Sequence, residues 1–334
     1  MENTRMMKVN VDGVEYIYPK GTLYQAIAAD FQEGYAHDIL LVNRNGKLCE
    51  LHKALDRDCT LKMITVEEKP GMQTYERSVV FLMLKAFYDV VRKENVERVS
   101  VEYSISHALF IRAKGAFTLG QELLNQVEGR MRAISEQAVP IRKESINTDD
   151  AVELFRKTQM YDKAQLLSFR INSHVNIYFL DEFSDYFYGY MVPDTGYLKC
   201  FGLQLFESGF VLRLPDQKNP SQLGAFHPSM KVFRELYDAT LRSEALHISN
   251  VAEMNGVISQ GNATHMILAH EAMMEKKIGD IAGEIAARKD VRFVMIAGPS
   301  SSGKTTFSHR LSTQLLACGL HPHAIATDNY FKNR

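Results

Sequence analysis

Polar and apolar positions alternate with a period of two near the start of the chain, through Lys8-Val9-Asn10-Val11 and Val14-Glu15-Tyr16-Ile17-Tyr18, on either side of Asp12-Gly13. Such alternation predicts two half-buried strands, and Asp-Gly supplies the positive φ angles of a tight hairpin. Pro19-Lys20-Gly21 turns the chain, Thr22 is placed to cap a helix, and Leu23, Ala26, Ile27 and Phe31 mark that helix's buried face. Further strands are predicted at Ile39 to Val42 and Lys47 to Glu50, joined by Asn45-Gly46, and at Thr60 to Val66. This order is that of a small β-grasp domain over 1–67.

From Gly71 the pattern becomes mixed α+β. Val79, Leu82, Met83, Ala86, Phe87 and Val90 recur at helical spacing, Val99 to Ile105 alternates as a strand, and Leu123 to Ile134 reads as a further helix. Asp149-Asp150 heads another helix, where carboxylates suit the positive N-terminal end. The aromatic run from Tyr178 to Tyr190 precedes Met191-Val192-Pro193 and carries no interleaved basic residues, so it reads as a packing face and not as a base-stacking platform. Turn chemistry from Pro215 to Gln222 closes this second domain, set at 68–224. A helical connector follows over 225–289, with helices from Met230 to Arg242, from a capping box at Asn250 and Glu253, and from about Thr264 to Arg288.

The last stretch, 290–334, reads as the opening of an α/β domain. Val291 to Ala297 predicts a buried strand, Phe307, Leu311, Leu315 and Leu316 a helix that Gly319 stops, and His323 to Thr327 a second strand ending in Asp328. Between strand and helix lies Gly298-Pro299-Ser300-Ser301-Ser302-Gly303-Lys304-Thr305-Thr306, a G-x-x-x-x-G-K-T phosphate-cradling loop. Glycines at 298 and 303 let the backbone curl until N–H groups from Ser300 to Thr306 converge, and the following helix adds its positive end. Lys304 is expected to reach the β- and γ-phosphates of ATP, and Thr305 to offer its hydroxyl to Mg²⁺. Asp328, at a strand's carboxyl end, is placed to accept a proton, or else simply forms a turn.

The sequence G-P-S-S-S-G-K-T-T followed by a strand ending D-N-Y-F resembles the uridine kinase and phosphoribulokinase group. That resemblance implies ATP-dependent phosphorylation of a ribonucleoside 5′-hydroxyl, with Asp328 as catalytic base, Tyr330 beside the nucleoside and Lys304 with Mg²⁺ neutralising the phosphates. It also implies a kinase domain continuing past Arg334, so residues 1–334 alone are expected to be inactive as a kinase.

Pro19-Lys20-Gly21-Thr22-Leu23 before a helix resembles the TGS domain at the front of threonyl-tRNA synthetases, which implies a module contacting RNA, tRNA or a small ligand; a purely structural cap is the other reading. The next block resembles the editing domain of those synthetases. The resemblance implies two histidines four apart on the first helix and a Cys/His pair four apart before a Val-Pro. Here Arg77 and Phe81, and Phe187 and Met191, stand at those positions. None of the four supports metal or acid–base hydrolysis.

Composition narrows the setting. With 39 basic against 40 acidic residues, net −1, non-specific polyanion binding is not the dominant expectation. The cysteines at 49, 59, 200 and 318 show no metal or paired spacing and read as reduced thiols. No signal core or membrane-length apolar run appears, so a cytoplasmic location is expected. The expected function is a uridine-kinase-like nucleoside kinase with accessory tRNA-synthetase-like domains; the alternative is a tRNA- or nucleotide-sensing protein in which the loop acts as a switch. An aminoacyl-tRNA deacylase ranks third.

Overall fold

The structure, a computed structural model, describes residues 5–330, excepting the side chains of residues 328 and 329. It divides into two compact units, Met1–Ala245 and Leu246–Arg334. The protein is α+β, with several separate sheets.

In the first unit, β1 (Met6–Val11) and β2 (Val14–Pro19) pair antiparallel across a turn with Asp12 at φ 51° and Gly13 at φ 87°. Helix α1 (Tyr24–Phe31) follows, then β3 (Leu41–Arg44), β4 (Lys47–Glu50) and β5 (Cys59–Ile64). The sheet order β2-β1-β5-β3-β4, with β1 parallel to β5, is the expected β-grasp arrangement. Its core holds Val9, Val11, Ile27, Val42 and Leu61.

Two local readings are corrected. Thr22 does not cap α1: its hydroxyl donates to the Pro19 carbonyl at 2.8 Å, and Leu23 is the N-cap. Leu23 also bridges to Ala54, which fixes the helix start and turns Tyr24, Ile27 and Ala28 inward, leaving Leu23 and Ala26 exposed.

Helix α2 (Lys69–Val91) is the axis of this unit's larger core, buried at every position from Val79 to Phe87. One side carries the sheet β11-β12-β7-β6, built from β6 (Val96–Ile105), β7 (Ala108–Gly115), β11 (Gly202–Phe206) and β12 (Gly209–Arg213). A second sheet, β10-β9-β8, contains β8 (Ile141–Asn147), β9 (His174–Leu180) and β10 (Phe183–Asp185). Helix α3 (Gln121–Glu136) packs on α2. Helices α4 (Thr148–Lys157) and α5 (Tyr161–Ser168) pack together on the β8–β9 sheet. The Asn147 carboxamide oxygen accepts the Asp149 N–H at 2.9 Å, and Asp149 and Asp150 occupy the first turn of α4 as their charge favours. A short ribbon, β13 (Pro215–Asp216) with β14 (Asn219–Leu223), ends the domain, and α6 (Met230–Ala245) lays Phe233 against Phe110.

The second unit contains α7 (Val251–Ser259), α8 (Ala263–Ala287) and α9 (Lys304–Ala317). Asn250 accepts the Glu253 N–H at 2.9 Å while the Glu253 carboxylate accepts the Ser249 N–H at 2.7 Å, so the predicted capping box forms with its return bond one residue before the N-cap. Ile278 and Ala282 of α8 bury against Leu311 and Leu315 of α9, and Glu275 joins Arg310 at 3.2 Å. Leu316, expected on the buried face, is 52% exposed.

The strands expected at Val291 to Ala297 and His323 to Thr327 do not form; both segments are irregular, and the second ends in a single 3₁₀ turn, Thr327–Tyr330. A parallel pair is stabilised by neighbouring strands and by helices over both faces. Among the described residues this unit supplies no other strand, and Phe293, Met295 and Ile325 are 86%, 94% and 61% exposed. The α/β reading of this segment is corrected accordingly.

Candidate functional site

Two places gather chemistry. The first is the loop ahead of α9. Gly298, Ser300, Ser301, Ser302 and Gly303 form one curl, with Ser301 at φ 61° and Gly303, the helix N-cap, at φ 79°. The Ser302 N–H donates to the Pro299 carbonyl at 3.3 Å, which tightens the curl. A Cβ on residue 298 would lie 2.7 Å from the Ser302 hydroxyl oxygen, so glycine suits the close approach. Lys304 folds back over the loop: its ammonium donates to the carbonyls of Gly298 and Pro299 at 2.9 and 2.8 Å. Thr305 and Thr306 lie exposed in the first helical turn. Tyr330 is 74% exposed, and the side chain of Asp328 lies outside the described residues.

The second place is a cleft of about 580 Å³ in the middle domain. Four elements supply it: the α2 face bearing Glu76, Arg77, Val80 and Leu84; Val99 and Val101 of β6; Asp162 and Lys163 at the head of α5; and the chain from Asp185 to Phe187. Residues distant in sequence therefore meet here, including Arg77 and Phe187 from the editing positions, while Phe81 and Met191 lie buried outside its lining. The Arg77 guanidinium donates to the Tyr190 carbonyl at 2.6 Å. Phe81 and Phe187 pack edge to face with ring centres 5.4 Å apart. Met191 Sδ receives the Ser78 hydroxyl at 3.4 Å, and that same oxygen accepts the Val192 N–H at 3.0 Å. Gly189, at φ 130°, passes directly under the guanidinium: a Cβ there would lie 2.4 Å from Arg77 Cζ.

What fills these positions decides the chemistry. Arginine stays protonated, two phenylalanines cannot exchange protons, and a methionine sulfur is no base, so no general base and no zinc ligand comes from the four. Among the described residues no group of three or more His, Cys, Asp or Glu is arranged to hold a metal ion. The other charged residues that line the cleft, Glu76, Asp162, Lys163 and Asp185, escaped sequence reading. Lys163 pairs with the buried Asp185, whose carboxyl burial pushes upward even against that ammonium. Glu76 forms no hydrogen bond or ion pair among the described residues, and burial raises its pKa as well. Only Glu76 had a sequence signal, as the neighbour of Arg77; the Lys163–Asp185 pair arises from the meeting of α5 with β10.

Glu50 ties the first domain to this site. It is 0% exposed and accepts from Tyr178 Oη at 2.6 Å, Lys143 Nζ at 2.8 Å and the Met191 N–H at 3.1 Å. The segment carrying Met191 is thus held by a carboxylate from the β-grasp domain.

No family model matches the chain. It is similar to the threonine–tRNA ligase of Thermotoga neapolitana, 32% identical over 220 residues, covering 64% of this chain and 33% of that protein. The threonine–tRNA ligase of Thermotoga maritima is 30% identical over 220 residues, again 64% of this chain and 33% of the relative. That of Pelodictyon phaeoclathratiforme is 26% identical over 229 residues, 67% of this chain and 34% of the relative. The chain thus spans about a third of the length of the curated relatives it matches. These relatives support the threonyl-tRNA-synthetase-like part of the resemblance, and none of them is a kinase. The expected nucleoside kinase activity, with a ribonucleoside as substrate, is corrected on that finding: the relatives point to a function related to tRNA synthetases.

Proposed function

We propose that this chain is a tRNA-synthetase-related protein that contacts tRNA through its β-grasp and middle domains and does not hydrolyse the aminoacyl ester. The observation that carries the reading is the convergence of Arg77, Phe81, Phe187 and Met191 on one site, where the packing of α2 against the 187–191 segment persists without acid–base or metal-binding groups. The likeness to threonine–tRNA ligases supplies the nucleic acid. The four-part division at 1–67, 68–224, 225–289 and 290–334 belongs to the same proposal, as does a cytoplasmic location.

Within this reading the loop from Gly298 to Thr306 binds the phosphates of ATP. Its curl and the α9 N-terminus offer N–H groups, Lys304 would exchange its two carbonyl partners for phosphate oxygens, and the Thr305 hydroxyl would hold Mg²⁺. Titration of threonine-specific tRNA with the chain at two salt concentrations tests the tRNA contact: saturable binding that weakens with salt is expected. Absence of binding at tRNA excess would remove the proposal.

A further inference from the structure

The middle-domain cleft holds two opposite charges that form no ion pair, beside an apolar surface. Arg77 has one hydrogen bond, to a neutral carbonyl, and no carboxylate within ion-pair distance among the described residues. Glu76, next to it on α2, has no hydrogen bond or ion pair there. Successive helical residues point about 100° apart, so the two line one cleft and feel each other's charge without forming an ion pair. Lys163 is already taken by Asp185, and Asp162 accepts the backbone N–H of Lys163 at 2.9 Å. Around these charges lie Val80, Leu84, Val99, Leu109 and Phe187, with Val101 left 39% exposed.

A partly desolvated cation and a partly desolvated anion that attract each other without closing into an ion pair are complementary to a small zwitterion. We propose that this cleft binds a free α-amino acid with an aliphatic side chain, its carboxylate on Arg77, its ammonium on Glu76 and its side chain on the valine and leucine surface. Asp162 also lines the cleft and adds a second carboxylate to it. An aminoacyl ester, such as the charged end of a tRNA, has no carboxylate for Arg77, so the free acid is the matched ligand. The inference stands apart from tRNA contact, because it uses only side chains of the cleft.

Calorimetric titration of the full chain with L-leucine, 3-methylbutylamine and 4-methylpentanoate tests it. The last two are L-leucine without its carboxylate and without its ammonium. L-leucine should saturate one site, and each analogue should bind at least about tenfold more weakly, as expected for loss of a charge-assisted hydrogen bond. In Arg77→Gln the preference for L-leucine over 3-methylbutylamine should vanish; in Glu76→Gln its preference over 4-methylpentanoate should vanish. No binding of L-leucine at millimolar concentration, or an amine that binds the native chain as well as the amino acid does, overturns the proposal. The analogue series on the native chain decides the matter even if Arg77→Gln fails to fold.

Discussion

Glu50 concentrates more of the domain junction than any other side chain described: fully buried, it receives a phenol, an ammonium and a backbone N–H. A buried pair is an uncertain source of stability when whole, yet removing one partner strands the other without compensation. Glu50→Ala should therefore destabilise the chain by about 3–5 kcal/mol in urea unfolding; a loss under about 1 kcal/mol would mean that water reaches Lys143 and Tyr178 freely. Glu76 makes the opposite case. Burial raises its pKa, so the native state holds a proton more readily than the unfolded chain, and stability falls as pH rises above the ordinary carboxylate pKa. Glu76→Gln should raise Tm at pH 7 and leave it unchanged near pH 3, where both states are protonated; an equal gain at both pH values would place the effect elsewhere. Neither role is visible in the sequence. Glu50 reads there as the end of a strand, and only the approach of Lys143, Tyr178 and Met191 from 93 to 141 residues away turns it into a junction.

Elements were legible where local chemistry decides them. The hairpins at Asp12-Gly13 and Asn45-Gly46, the capping box at Asn250 and the long periodic helices α2, α3 and α8 stand where their residues predict. Prediction failed where a partner decides: the Leu23–Ala54 bridge set the start of α1, and the segments at 291–297 and 323–327, apolar enough for strands, have no ladder to join. The start of α2 depends on a close approach of the same tertiary kind. A Cβ on Gly71 would fall 1.8 Å from the Thr65 carbonyl oxygen, so Gly71→Ala must push α2 away from the end of β5. The expected cost is about 1–3 kcal/mol, read from thermal unfolding, and an unchanged Tm would show that the junction yields freely. At the head of α9, Lys304→Ala should weaken ATP binding in Mg²⁺ by about ten- to a hundredfold, through loss of a charge-assisted contact. Unchanged affinity would detach that loop from nucleotide binding.

For the whole molecule, the site at Arg77, Phe81, Phe187 and Met191 was legible in outline, because a family resemblance pointed to those positions and the fold brings them together. The charges that furnish the cleft were not, since Asp162, Lys163 and Asp185 meet only after α5 and β10 are in place. The corrected kinase reading rested on the loop at 298–306, and a phosphate loop identifies a ligand group without identifying the reaction done upon it. We propose that tRNA-synthetase-like architecture is kept here without hydrolysis of the aminoacyl ester. The most direct test is to saturate mischarged threonine-specific tRNA with the full chain and follow the surviving ester in the bound complex. Bound tRNA whose ester decays no faster than in buffer is the predicted result; ester loss accelerated by the chain, and abolished by substitution at Glu76 or Lys163, would contradict it.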